Sequence, residues 1–179
     1  MDEVGRGCWA GPLVVGAVIL TKPILGLKDS KQLSCKQRLK MAVAIKETLA
    51  DTGLGWVWPE EIDKIGLTQA TTLAMRRALE GIQSEYDEII IDGKLNFLPD
   101  NPKCRAVIKA DSSIPAVSAA SIIAKVARDE YMHGIARQFP SYGFERHVGY
   151  GTKLHSDNLR VHGPCKQHRL SFKPVRAFA

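Results

Sequence analysis

Met1-Asp2-Glu3-Val4-Gly5-Arg6-Gly7 compresses two carboxylates, two glycines and one guanidinium into a single turn. Adjacent strand residues point to opposite faces of a sheet, so Asp2 and Glu3 serve one site only if the strand ends there and the chain turns at once. Gly5 and Gly7 permit that turn, and glycine lets backbone amides approach a ligand closely. Arg6, between them, offers a planar fork suited to phosphate. The plain alternative is a solvated acidic strand end followed by a glycine turn. Partners elsewhere in the chain decide between the two.

Those partners are further strands that end in acids. Leu13 to Leu20 is almost wholly apolar, as in a strand buried on both faces, and is expected to pair back on the first strand. Ile89-Ile90-Ile91-Asp92-Gly93 closes a β-branched strand on Asp-Gly, and a second short apolar strand from Cys104 is expected to stop at Asp111. Carboxylates at the strand ends of one sheet converge even when they are far apart in sequence. Asp2, Glu3, Asp92 and Asp111 are therefore a candidate cluster. Such a cluster repels itself and raises its own pKa values unless cations neutralise it. Hard oxygen ligands suit Mg²⁺ or Mn²⁺ rather than zinc. Beside a nucleic acid, this set points to two-metal hydrolysis.

The remaining pattern supplies helices and a basic end. Ser34 is a candidate N-cap for a helix over 36–50. Trp56 and Trp58 lie in a short strand over 53–58, Pro59 to Asp63 opens a helical turn, and a longer helix is expected over 68–82. The strongest helix runs over 114–138, with small residues that let it lie close on a sheet. A short helix is expected over 156–161. Lys28 and Lys31, on the loop before the first helix, are either a solvated lead-in or a phosphate contact. Tyr150, between Gly149 and Gly151, is expected on a mobile loop, available for stacking or else covering the edge of the core.

The chain has 179 residues, 45% hydrophobic and 25% charged. That is the profile of an ordinary globular protein, expected to be one domain over 1–179. No run is long and apolar enough for a membrane span and no signal segment is evident, so a cytoplasmic protein without membrane attachment is expected. Cys8, Cys35, Cys104 and Cys165 are scattered, which argues against a structural zinc site or a disulfide scaffold. The net charge of +6 is unevenly spread: residues 1–102 carry 12 Lys/Arg against 14 Asp/Glu, residues 103–179 carry 13 against 5. The basic half suits a polyanion, nucleic acid first among candidates.

In order along nearly the whole chain, Asp2-Glu3-Val4-Gly5-Arg6-Gly7, Asp29-Ser30-Lys31, Ile91-Asp92-Gly93, Lys109-Ala110-Asp111-Ser112, Ser118 to Asp129, and Gly149-Tyr150-Gly151-Thr152 resemble the successive motifs of the ribonuclease HII family. The resemblance implies an α/β, RNase H-like fold, a mixed central sheet flanked by helices, with a small helical basic C-terminal segment over about 140–179. It implies an endoribonuclease for the RNA strand of RNA–DNA hybrids that also nicks 5′ of ribonucleotides embedded in duplex DNA, leaving 3′-hydroxyl and 5′-phosphate ends. Asp2, Glu3, Asp92 and Asp111 would hold two Mg²⁺ or Mn²⁺ ions. Gly5, Arg6 and Gly7 would read the ribonucleotide 2′-hydroxyl, Tyr150 would pack on the next deoxyribose, and Lys31 and Lys153 would contact phosphates. A structural role is expected for Arg128 and Asp129, and a monomer for the protein. Members carry an apolar strand ahead of the Asp-Glu pair, whereas only Met1 precedes it here, so the first strand is expected to pair poorly. Two other readings compete: an inactive hybrid-binding protein, and a phosphoesterase for small substrates on a related fold.

Overall fold

The computed structural model describes residues 1–27, 30–48 and 50–178; Lys28 and Asp29, named above for a phosphate contact and a motif, lie outside the described residues. Strand β1 (Asp2–Val4) runs antiparallel to β2 (Leu13–Ile19), which runs antiparallel to β3 (Asp51–Val57). Every residue of β2 but the last is buried, as its unbroken apolar run requires. Strands β4 (Ile89–Asp92) and β5 (Cys104–Val107) form a separate parallel pair. The two sheets meet at Met1, whose backbone nitrogen donates to the Ile90 carbonyl at 2.6 Å and whose carbonyl accepts from Asp92 N at 3.0 Å. That is the bond pattern of a parallel pair with Met1 opposite Ile91. The short first strand, expected to pair poorly, is thus bonded on both sides.

Helices cover both faces. Helix α1 (Cys35–Glu47) begins at a capping box, in which Ser34 Oγ accepts from Gln37 N and Gln37 Oε1 accepts from Ser34 N. Helix α2 (Pro59–Glu80) joins the helical turn and the longer helix foreseen in the sequence, with Gly66 at φ 78° marking the kink between them. It buries Ile62, Ala70, Ala74, Met75 and Ala78 against Leu13, Val15, Ala17 and Val57. Helix α4 (Pro115–Ala136) lies on the opposite face, where Ala119, Ala120, Ile122 and Ile123 meet Val18 and the α1 residues Ala42 and Ile45. No helix among the described residues is long and apolar enough to cross a membrane.

One sequence expectation fails at β5. The strand foreseen as running to Asp111 stops at Val107, because Lys109 adopts a left-handed backbone (φ 57°, ψ 36°) that turns the chain into the four-residue helix α3 (Ala110–Ser113). Asp111 therefore stands on a helical turn rather than at a strand end.

The C-terminal segment holds α5 (Phe144–His147), α6 (Lys153–His162) and α7 (Lys173–Arg176) around a cluster of Tyr142, Phe144, Leu159 and Val175 with Ala10 and Met132. Two buried arginines fasten it to the first turn of the chain. Arg128 donates to the carbonyls of Pro12, Val148 and Ala10 at 2.9, 2.8 and 3.0 Å, and Arg169 to those of Gly11 and Arg6. Both are fully buried, and burial pushes the Arg169 guanidinium down to about 10. Arg128 thus has the structural role foreseen for it.

Removing a guanidinium that serves three carbonyls strips the Pro12 and Ala10 carbonyls of it and leaves Val148 O only the 3.9 Å contact from Cys8 Sγ. Arg128→Met is expected to lower stability by about 3 kcal/mol or more, read as a shift in the urea midpoint. The exposed Arg137→Met should change it by less than about 0.5 kcal/mol.

Candidate active site

The two bonds at Met1 set Asp2, the first residue of β1, beside Asp92, the last of β4, and α3 brings Asp111 to the same point. One carboxylate oxygen each from Asp2, Asp92 and Asp111 lies within 4.8 Å of the others. Asp2 and Asp111 are buried, and Asp92 is partly so. Each is held by a directed bond. Asp2 Oδ1 accepts from Glu3 N at 2.8 Å, Asp92 Oδ1 from Ala110 N at 2.7 Å, and Asp111 Oδ1 from Ser112 Oγ at 3.2 Å.

Burial pushes the Asp2 carboxyl up to about 7; a hydrogen bond from Ser121 opposes that rise and the neighbouring Glu3 and Asp92 charges add to it. Glu3 is also pushed up, chiefly by burial, with Arg6 opposing. Glu3 stands outside the trio but lines the same cleft, and its buried Oε2 has no hydrogen-bond partner. Three crowded carboxylates and an orphaned fourth oxygen outnumber the cations beside them, of which Lys31 pairs with Asp111 and Arg6 opposes the rise at Glu3. These oxygens fit hard divalent cations, which accept all-oxygen coordination.

The cleft beside this cluster is lined by Asp2, Glu3, Gly5, Arg6 and Gly7, by Ser30, Lys31 and Arg38, and by Ser121, Lys125 and Tyr150. Gly5 sits at φ 83°, and a Cβ there would come within 2.2 Å of Arg128 Nε; only glycine fits. A Cβ on Gly7 would meet nothing within 4 Å, so packing does not demand glycine there. Arg6 lies with its guanidinium carbon 5.3 Å from the Phe97 ring centroid, its buried Nε unpartnered. Lys31 pairs with Asp111 at 2.9 Å. Lys153 is exposed on α6 and pairs with Asp157 at 2.6 Å.

Tyr150 corrects another expectation, since its loop is pinned rather than mobile. Trp9 N and Ala10 N both donate to Gly149 O, at 2.9 and 3.3 Å. A Cβ on Gly149 would strike Ala10 O at 2.2 Å, and one on Gly151 would strike the Trp9 ring at 2.1 Å. Tyr150 as a residue remains 41% exposed, with Lys125 Nζ 5.6 Å and the Arg128 guanidinium carbon 5.9 Å from its ring centroid.

The sequence reading had Ser30, Ser121 and Lys125 within its motifs but gave them no role at the site, and it missed Arg38. Ser30 Oγ and Ser121 Oγ are 2.6 Å apart beneath Asp2, and Lys125 pairs with Asp129 at 2.8 Å. The signal was present: Ser121 and Lys125 are polar at a four-residue spacing, so they share one face of the helix.

A mixed α/β fold that presents desolvated carboxylates beside an open glycine turn and several cations is that of a metal-dependent phosphodiester hydrolase. The chain belongs to the ribonuclease HII family, whose model matches residues 1–175. It is 48% identical over 179 residues to ribonuclease HII of Vibrio vulnificus, covering 98% of this chain and 86% of that one. Its fold is similar to that of ribonuclease H2 from Pyrococcus horikoshii (TM-score 0.81, 28% identity, 99% of this chain and 94% of that one). It is also similar to Bst-RNase HIII solved in complex with Mn²⁺ (TM-score 0.78, 25% identity, 99% of this chain and 67% of that one). The protein is accordingly a metal-dependent endonuclease that acts on RNA–DNA hybrids and on ribonucleotides embedded in DNA.

Because the folded state holds the Asp2 proton up to about 7, ionising this group costs metal-free stability progressively from its ordinary value near 4 up to that point. Asp2→Asn should raise the thermal midpoint of the metal-free protein most at pH 8, with the gain shrinking as pH falls toward 4. Saturating Mn²⁺ should raise the midpoint of the unsubstituted protein at pH 8 and leave that of Asp2→Asn nearly unmoved. Scanning calorimetry with and without the ion measures both effects.

Proposed function

We propose that Asp2, Glu3, Asp92 and Asp111 hold two Mg²⁺ or Mn²⁺ ions and that the cleft beside them reads a ribonucleotide followed by a deoxyribonucleotide. The observation that carries this is the convergence of three carboxylate oxygens within 4.8 Å of one another, next to the orphaned Glu3 Oε2. Bound ions at such a site supply an activated water and neutralise the charge that develops on the phosphate and the leaving oxygen. The chain's own part is to hold four oxygens in one desolvated place and to fix the substrate over them.

Gly5 to Gly7 fit the ribose side of the step. The turn is held from below by Arg169, which donates to Arg6 O at 3.0 Å, and Gly7 leaves room for a sugar to approach the backbone. The 2′-hydroxyl both donates and accepts, so backbone groups there recognise it without its acting as nucleophile. Tyr150 closes the other side of the step, where its part-exposed side chain suits a sugar lacking the 2′-hydroxyl. Lys31, on the cleft wall, takes a backbone phosphate near the cluster. Lys153, one turn of chain beyond Tyr150, takes a more distant one. Residues 140–179 serve as the basic substrate-binding segment of a single domain that acts as a monomer on duplex nucleic acid.

The inactive hybrid-binding reading loses its ground, because it required a misplaced Asp2. Asp92→Asn removes a metal ligand and leaves the phosphate contacts that dominate affinity. It should abolish cleavage of a duplex carrying one ribonucleotide while duplex binding, measured by fluorescence anisotropy, stays within about threefold. Cleavage near the original rate takes Asp92 out of the site.

Tyr150→Ala should slow single-turnover cleavage of a single embedded ribonucleotide by the equivalent of about 1–3 kcal/mol, the usual scale of an aromatic–nucleotide stack. Metal affinity should not change, and Tyr150→Phe should keep nearly the full rate. Equal rates for Tyr150→Ala and the unsubstituted protein would remove the sugar-packing role.

A further inference from the structure

Behind Tyr150 lie three histidines that the chemistry above does not use. His147, His155 and His168 are buried at 6%, 0% and 2% exposure, and their hydrogen bonds fix which nitrogen of each ring carries the proton. Cys165 N donates to His168 Nδ1 at 3.0 Å, so that nitrogen is an acceptor and the proton sits on Nε2. His168 Nε2 is 2.9 Å from His155 Nε2 and donates to it. His155 is therefore protonated on Nδ1, which donates to the Tyr150 carbonyl at 2.9 Å. His147 closes the set. Its Nδ1 accepts from Gly149 N at 3.2 Å, its Nε2 donates to Tyr142 O at 2.9 Å, and its ring stacks on His155 with centroids 4.3 Å apart.

We propose that His155 and His168 are positioning residues: a one-way chain of hydrogen bonds from the Cys165 amide through the two neutral imidazoles holds the Tyr150 carbonyl, and with it the Tyr150 ring. The chain ends on a backbone atom whose other bond, from Thr152 N at 2.9 Å, only closes a local turn. Without His155, nothing in α6 would fix that turn to the body of the segment at this atom. The surroundings keep both rings neutral. They face Trp9, Tyr142, Phe144, His147 and Cys165, whose Sγ is 3.2 Å from His168 Nδ1. None of these supplies a negative charge at neutral pH. Burial pushes both imidazoles down to about 4. A proton added to His155 Nε2 would face the donor on His168; if that donor moved to Nδ1, the Cys165 amide would lose its acceptor.

The arrangement is not that of a metal site, because the ring nitrogens are already committed to one another and to the backbone. The purpose assigned to it rests on the sugar-packing reading of Tyr150. Its test has two arms.

The first arm uses the unsubstituted protein. Long-range ¹H–¹⁵N correlation spectra at pH 7 should show neutral His155 in the Nδ1–H form and neutral His168 in the Nε2–H form. Any other tautomer, or a charged ring, overturns the chain.

The second arm compares single-turnover cleavage of a single-ribonucleotide duplex with that of a continuous hybrid. Both need the same carboxylates, so their ratio isolates Tyr150. His155→Leu should lower the ratio about tenfold, within the range of an aromatic stack, and combining it with Tyr150→Ala should lower it no further. His155→Asn, which returns an N–H at the Nδ1 position, should restore the ratio to within about twofold of the starting value. An unchanged ratio in His155→Leu beside a lowered one in Tyr150→Ala overturns the positioning role alone, as do effects that multiply in the double variant. An unchanged ratio in Tyr150→Ala itself, where the histidines are intact, overturns the packing reading and the role built on it.

Discussion

The active site depends on a joint one residue long. Met1 bonds to β4 at 2.6 and 3.0 Å while its neighbour Asp2 pairs with Gly16 of β2. This joint makes one curved surface of two sheets that are otherwise separate. It also sets Asp2 beside Asp92, a proximity that neither sheet could produce alone. The third member arrives by a different route, because the left-handed Lys109 turns the chain and the Ala110 amide then docks on Asp92 Oδ1 at 2.7 Å. That single bond orients one carboxylate and delivers the next.

Such a cluster is unfavourable in the absence of cations. Burial and mutual repulsion both resist ionisation of Asp2, and Glu3 Oε2 lacks any partner, so the surrounding fold must hold the acids where they would not settle unaided. The compensation lies on either side. Beneath the cluster, the Ser30–Ser121 pair and the small residues of α4 allow close packing on β1 and β2. Behind the glycine turn, Arg128 and Arg169 satisfy carbonyls of a segment that has no regular ladder to bond with.

Much of this was legible in the sequence, for identifiable reasons. Local signals carried the elements: an unbroken apolar run gave β2, Ser34 with Gln37 gave the start of α1, and Asp-Gly gave the end of β4. The four acids could be collected because an acid beside a short apolar run is a local feature even when convergence is not, although only Asp92 closes a strand. What failed was decided by contacts distant in sequence. Nothing near Lys109 announces its left-handed backbone, so Asp111 was placed on a strand. Gly149 and Gly151 looked like hinges, yet each is small because Ala10 and Trp9, about 140 residues earlier, press on it. Composition marked residues 103–179 as basic but could not show that one of their arginines, Arg169, is spent inside the fold.

These internal contacts bear on how a junction between RNA and DNA can be read. Recognising one sugar with a 2′-hydroxyl and the next without it requires two surfaces at a fixed separation, since a small relative slip would place the wrong sugar on each. Here the two surfaces are parts of one fastened body. Arg128 bonds at once to Ala10 and Pro12, just past the glycine turn, and to Val148, just before Tyr150, while Gly5 is pressed against the same guanidinium. Trp9 and Ala10 add bonds to Gly149 across the same gap. A buried planar fork with five donors is suited to this because it can hold several carbonyls in one plane. Arg128, foreseen as structural, therefore fixes the segment after the glycine turn relative to the one before Tyr150, and the specificity proposed for the cleft would depend on that spacing.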